Sequence, residues 1–61
     1  MTGFDDLADR LDSIAEELAD LAIDRLRTAL ADDGADAAAA EERRLTKARR
    51  RIVEAAALLR T

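Results

Sequence analysis

The chain of 61 residues contains no cysteine, histidine, tryptophan, tyrosine or proline, and it has one phenylalanine and two glycines. Without cysteine and histidine, disulfides, thiolate sites and imidazole–metal sites are all excluded. Disulfides and metals are the usual supports of small domains, because a chain this short buries little of its surface on folding. Oligomerisation is the support that remains, so we expect a homo-oligomer.

Groups that carry out catalysis are equally scarce. The chain has one serine, Ser13, and one lysine, Lys47. Catalysis needs a nucleophile beside a base, or a metal, and Ser13 stands among acidic residues with no base in view. The DDGAD stretch at 32–36 lacks the alternating ligands and the closing glutamate of a calcium loop. We therefore expect no enzymatic activity, no cofactor and no metal site.

Long apolar runs and a secretory signal are also missing. No run of about 18 apolar residues occurs, so we expect no membrane-spanning helix. The opening residues MTGFDDLADR carry aspartates, whereas a secretory signal begins with basic residues and continues into an apolar run. We therefore expect a cytoplasmic location. Interfacial helices have basic polar faces and aromatic anchors, so the acidic N-terminal half does not favour binding to a membrane surface.

The composition is instead rich in alanine, leucine, arginine and acidic residues, which is typical of long helices and coiled coils. The strongest interruption is ADDGADA at 31–37, where Gly34 can adopt the left-handed conformation that ends a helix. A connection this short favours antiparallel neighbours. We predict an all-α fold, a single antiparallel two-helix hairpin with one helix at about 3–32, a turn at 33–35 and a second helix at about 36–60.

The predicted helix starts carry capping residues. Thr2 and Asp5 are spaced as in a capping box, with aspartate in place of the usual glutamate. Asp36 follows the turn and is predicted to cap the second helix through its carboxylate.

Apolar residues in both predicted helices follow the alternating spacing of three and four that marks a coiled-coil stripe. Alanines at 8, 15, 22 and 29 recur along one side of the stripe in the first helix. One alanine-rich helix cannot cover all the large apolar residues of the other, so we predict that two hairpins dimerise into a four-helix bundle. The residues predicted to form the self-association or partner interface are Phe4, Leu7, Leu11, Ile14, Leu18, Leu21, Ile23, Leu26, Leu30, Leu45, Ile52 and Leu59. Two alternatives stay open: a groove that receives a helix of another protein, and a monomeric hairpin.

Charge is divided unequally between the two halves. Residues 1–33 hold ten acidic residues and three arginines, a net −7, and residues 34–61 hold four acidic and seven basic residues, a net +3. A hairpin turning near Gly34 pairs residues whose numbers add to roughly 68, which brings the acidic start of one helix beside the basic end of the other. Arg25 and Glu41 each occupy a stripe position, and we predict that they pair there and set the register.

The run RRLTKARRR at 43–51 places five basic residues on one outward helical face, a possible anion-binding surface: Arg43, Arg44, Lys47, Arg50 and Arg51. Phosphate binding needs such a face, but the net charge is −4 and no aromatic residue is interleaved for base stacking. The sequence favours a small non-enzymatic protein–protein interaction or scaffold module acting as a homodimeric bundle. The alternative is a nucleic-acid-associated accessory protein, and a third interpretation is an acidic helix that mimics nucleic acid and occupies a basic partner.

Overall fold

The computed structural model describes residues 3–31 and 35–60, and this part of the chain forms two α-helices. Helix α1 spans Asp5–Ala31 and helix α2 spans Ala35–Arg60. The helices run antiparallel, because Arg60 at the end of α2 contacts Asp9 near the start of α1. The prediction of an all-α two-helix hairpin is therefore confirmed. Neither described helix is long and apolar enough to cross a membrane.

The start of α1 is defined by its backbone. The carbonyl of Phe4 accepts a hydrogen bond from the N–H of Ala8 at 2.9 Å, which places Phe4 at the N-cap position. Asp5 and Asp6 follow in the first turn, where negative charge is favoured by the helix dipole. The predicted capping role of Thr2 lies outside the described residues.

The position of Asp36 differs from its predicted capping role. Asp36 is the second residue of α2, within its first turn, and is therefore not the residue that precedes the helix. Its carboxylate there favours the positive end of the helix dipole. The predicted helix-ending role of Gly34 lies outside the described residues.

The contact between the helices is made by alanine. All five buried residues of the described chain are alanines: Ala8, Ala15 and Ala22 in α1, and Ala38 and Ala56 in α2. The three in α1 recur every seventh residue and so lie on one line of the helix, facing α2. Such small side chains let the two backbones approach closely. As a result the larger residues lie to either side of the contact, and Leu11, Leu18, Leu45, Ile52 and Leu59 are only half-buried.

Most large apolar side chains remain exposed. Nine of them expose between 42% and 83% of their surface: Phe4, Leu7, Ile14, Leu21, Ile23, Leu26, Leu30, Val53 and Leu58. The chain has an accessible surface of 4791 Å², whereas a compact monomer of 6.6 kDa exposes about 3,900 Å². The radius of gyration is 14.3 Å, against about 10.5 Å for a compact domain of this length. The hairpin is thus a rod with surplus apolar surface.

Candidate protein–protein interface

The contact between the helices divides the predicted interface residues between two grooves on opposite sides of the hairpin. One groove is lined by Leu21 of α1 and by Leu45 and Ala48 of α2, together with the charged side chains of Arg25, Glu41 and Arg44. The other is lined by Ile23 and Leu26 of α1 together with part of α2. The sequence pattern treats these residues as one surface, whereas in the structure they belong to two.

The first groove, here called the seam groove, follows the regular stripe of α1. Leu7, Ile14 and Leu21 are spaced seven residues apart along it, and each exposes about half of its side chain, between 44% and 46%. Phe4 begins the same stripe and is also exposed. The opposite wall consists of the half-buried stripe of α2, namely Leu45, Ile52 and Leu59. Because of these seven-residue repeats, the apolar rows that meet at Leu21 and Leu45 are expected to continue the seam groove along most of the hairpin.

The second groove, here called the turn-end groove, lies on the other side and is shorter. Its large apolar residues are Ile23 and Leu26, with Leu30 further along the same helix. The polar and charged side chains of Glu42, Thr46 and Arg49 line it as well. It is therefore a mixed surface confined to the second half of α1.

The predicted register residues meet at the turn end of the seam groove. Arg25 Nε lies 3.6 Å from Glu41 Oε1, and both side chains are about half exposed. A second oxygen, Oδ2 of Asp24, lies 3.6 Å from Arg25 Nη1. Ion pairs this exposed contribute little to stability. The pair therefore places charged side chains at this end of the groove but does little to hold the helices together. That this pair sets the register stays a prediction.

A second contact between the helices involves Arg60, which the sequence analysis did not single out. Its Nη2 donates hydrogen bonds to Asp9 Oδ1 at 2.8 Å and to Asp12 Oδ2 at 2.7 Å. These bonds, to Asp12 first and Asp9 second, raise the pKa of the Arg60 guanidinium above its already high ordinary value. The sequence could have identified this contact, because the residue numbers of Arg60 and Asp9 add to roughly 68, the sum predicted for residues that face each other in the hairpin.

The five residues of the predicted anion-binding surface are all exposed, on the side of α2 that faces away from α1. Two shallow concavities between their side chains include Arg43 and Lys47 in both cases. Arg51 contacts Glu54 of its own helix, with 3.6 Å between Nη1 and Oε1. Arg44 differs from the others because it also lines the seam groove beside Leu21.

Ser13 and the carboxylates offer no reactive arrangement within residues 3–31 and 35–60. The Ser13 hydroxyl donates to the backbone carbonyl of Asp9 at 3.3 Å, a common use of serine inside a helix. Across those same ranges, no group of three or more acidic residues is arranged to hold a metal ion, and no polar side chain is buried. The chemistry that the described surface offers is that of its apolar grooves and its charges.

In comparisons with known proteins, no family model, no curated protein and no solved structure matches this chain.

Proposed function

We propose that the chain is a small, non-enzymatic protein–protein interaction module that acts as a homodimer, with two hairpins joined at their seam grooves into a four-helix bundle. One observation carries the proposal. Among residues 3–31 and 35–60, the fully buried residues are five alanines, while nine large apolar side chains remain exposed. Soluble monomers seldom leave an apolar stripe as long as that of the seam groove uncovered.

The surface area supports the same conclusion. The hairpin, with 4791 Å², exposes roughly 900 Å² more than a compact monomer of its mass. A stable protein–protein interface of standard size buries about 800 Å² on each partner. The surplus is thus close to what one interface with a second copy would remove from water.

The seam groove suits this role better than the turn-end groove. Its stripe runs from Phe4 to Leu21 on α1 with the three-and-four spacing of coiled coils. Facing stripes of that kind pack by inserting the side chains of one helix into the holes between side chains of the other. The turn-end groove offers a shorter stretch of apolar residues, from Ile23 to Leu30. Both grooves carry charged side chains, Arg25, Glu41 and Arg44 in the seam groove and Glu42 and Arg49 in the turn-end groove, so the length of the apolar stripe decides between them.

Sedimentation velocity over about 1 to 100 µM protein tests the proposal directly. We expect the mass of two chains and a thermal midpoint that rises with protein concentration, since dimerisation stabilises the folded form by mass action. A chain that is monomeric and cooperatively folded throughout this range would overturn the proposal. A chain that is monomeric and unfolded would also overturn it, and would favour a helix of another protein as the occupant of the groove.

A matched pair of variants identifies the groove. Ile14 lies in the seam groove and Ile23 in the turn-end groove, and they expose 44% and 51% of their surface. Ile14→Glu should abolish the dimer, because the carboxylate would be desolvated in the interface. Ile23→Glu should leave the dimer intact. The reverse pattern would move the interface to the turn-end groove.

A nucleic-acid-associated function is the second candidate, favoured by the exposure of all five residues of the predicted anion-binding surface. The triple variant Arg43→Glu, Lys47→Glu and Arg50→Glu tests it, because these residues avoid the seam groove. If the face binds phosphate, a mobility shift of DNA or RNA at about 50 mM salt should disappear in the variant and weaken steeply with added salt. No shift with the unaltered protein, or an equal shift with the variant, would dismiss this candidate.

A further inference from the structure

Two rows of exposed side chains border the seam groove on its outer edges, each with a repeat of seven residues. On α1 the row consists of Arg10 followed by the acidic residues Glu17 and Asp24. On α2 it consists of the basic residues Arg44 and Arg51 followed by Leu58. In coiled coils, the residues that border the apolar stripe determine which helices pair and in which orientation.

Two symmetric arrangements would join the seam grooves of two hairpins. In the first, the two-fold axis runs parallel to the helices, so both turns lie at the same end and α1 of each copy packs on α2 of the other. In the second, the axis is perpendicular to the helices, so the turns lie at opposite ends, α1 packs on α1 and α2 packs on α2. Neighbouring helices are antiparallel in both, and therefore apolar packing alone does not choose between them.

The parallel axis preserves the register within the hairpin. Rotation about it leaves every residue at its own level along the bundle, so residues whose numbers add to roughly 68 also face one another between copies. Glu17 then faces Arg51 of the second copy, and Asp24 faces Arg44 of the second copy. Arg10 faces the apolar Leu58, which the carbon stem of an arginine can cover. Four attractive contacts result, two on each side of the bundle.

The perpendicular axis places like charges together. It packs the segment of net charge −7 on its own copy and the segment of net charge +3 on its own copy. With the axis centred on the stripe, Arg10 and Glu17 would attract each other. Asp24, however, would lie level with Gly3 and Phe4 of the other copy and would gain no basic partner, and the arginines of α2 would gain no acidic partner. Like-charge contacts of this kind disfavour an arrangement even where each pair contributes little.

We propose that the homodimer has its two-fold axis parallel to the helices, with α1 of each hairpin on α2 of the other, both turns at one end, and the ionic contacts Glu17–Arg51 and Asp24–Arg44 made between copies. This arrangement rests on the proposed function, since it assumes that two seam grooves meet. It assigns Arg44 and Arg51 to the rim of the dimer, and it leaves Arg43, Lys47 and Arg50 on the open face.

A single distance separates the two arrangements. The chain has no cysteine, so Ala31→Cys introduces one site for a spin label, at the last residue of α1, where the native side chain is exposed. With both turns at one end, the two labels should lie roughly 20 to 30 Å apart, as neighbours across a helical bundle. With the turns at opposite ends and the axis level with Ile14, they should lie about 50 Å apart, as the helical rise dictates.

The mass of the labelled protein, measured on the same sample, keeps the two proposals distinguishable. A dimer with the short distance supports the arrangement. A dimer with the long distance overturns the arrangement and leaves the proposed function standing. A monomer without dipolar coupling overturns both.

Charge reversal provides a second test with a matched control. Arg44→Glu with Arg51→Glu should weaken dimerisation about tenfold, because four weakly attractive contacts between copies become repulsive. Adding Glu17→Lys and Asp24→Lys to the same chain should restore it, because attraction returns between copies. Arg43→Glu with Arg50→Glu makes the same change of charge on the same helix and should have little effect. The assigned contacts would be overturned if the variant with all four substitutions did not regain dimerisation. They would also be overturned if Arg43→Glu with Arg50→Glu weakened dimerisation as much as Arg44→Glu with Arg51→Glu.

Discussion

Shortening Leu21 gives the most direct measure of what the seam groove contributes to dimerisation. Fully burying a leucine side chain contributes about 1.5 to 3 kcal/mol, and Leu21 still exposes 46% of its surface in the hairpin. Covering the remainder in a dimer is therefore expected to contribute about 1 kcal/mol per copy. Since both copies change, Leu21→Ala should cost about 2 kcal/mol per dimer, which raises the Kd about 30-fold.

Leu26 offers a matched control on the same helix. It exposes 49% of its surface but lines the turn-end groove. Leu26→Ala removes the same atoms and should change the Kd less than about threefold, since its environment is unaltered by the proposed dimer. Sedimentation equilibrium of both variants, with circular dichroism to check their helical content, measures the difference. Equal effects of the two substitutions would refute the assignment of the interface to the seam groove.

Three further predictions concern contacts within the hairpin. Arg25→Leu should raise the free energy of unfolding by about 1 kcal/mol, because an apolar residue extends the stripe and the lost exposed ion pair contributes little; a fall in the thermal midpoint would contradict this. Arg60→Gln should lower the thermal midpoint and speed amide exchange in the last turn of α2. Because the folded-state pKa of Arg60 is raised, its contribution is fully present below its unfolded pKa and is lost only as pH rises through the folded value, so the difference from the unaltered protein should stay constant between about pH 6 and 9. Ala15→Leu should destabilise the hairpin by about 1 to 3 kcal/mol in urea unfolding, because Ala15 is only 4% exposed and a larger side chain would force the helices apart. As a control, Ala57→Leu changes an exposed position of α2 and should be nearly neutral. Comparable losses of stability in the two variants would argue against close packing at Ala15.

The sequence was sufficient to predict the two helices, because their periodic spacing and the single strong break are local signals. It also brought Arg25 and Glu41 to the same level, and the structure places their side chains 3.6 Å apart. Both predictions follow from counting residues along helices of known rise. Neither requires knowledge of which side of a helix faces the other.

Which side of α1 faces α2 could not be predicted in the same way. The alanine line through Ala15 and the leucine line through Leu18 both repeat every seven residues, and they lie next to each other on the helix. Together they form an apolar stripe wider than one helix can cover. Periodicity identifies the stripe but not the line at its centre, since that choice depends on how closely the two backbones approach.

The role of Asp36 could not be predicted for a different reason. An aspartate is favoured both just before a helix, where it accepts backbone hydrogen bonds, and inside the first turn, where it meets the positive end of the dipole. Asp36 fits either position, and the structure places it inside the helix. The preference for aspartate alone could not decide between the position before the helix and the first turn, because both favour a carboxylate.

The alanine contact has a consequence that links folding to association. An alanine buries one methyl group, which contributes about 0.8 kcal/mol, whereas a leucine buries several times that apolar surface. A hairpin whose buried residues are all alanines gains little from its own interior to set against the ordering of two long helices. Leu11, Leu18, Leu45, Ile52 and Leu59 bury part of their surface within the hairpin, whereas Leu7, Ile14 and Leu21 of the seam groove stay exposed. If two copies join at the seam groove as proposed, the surface between them is the main hydrophobic core of the protein, and the helices of one chain are stable chiefly when that surface is covered.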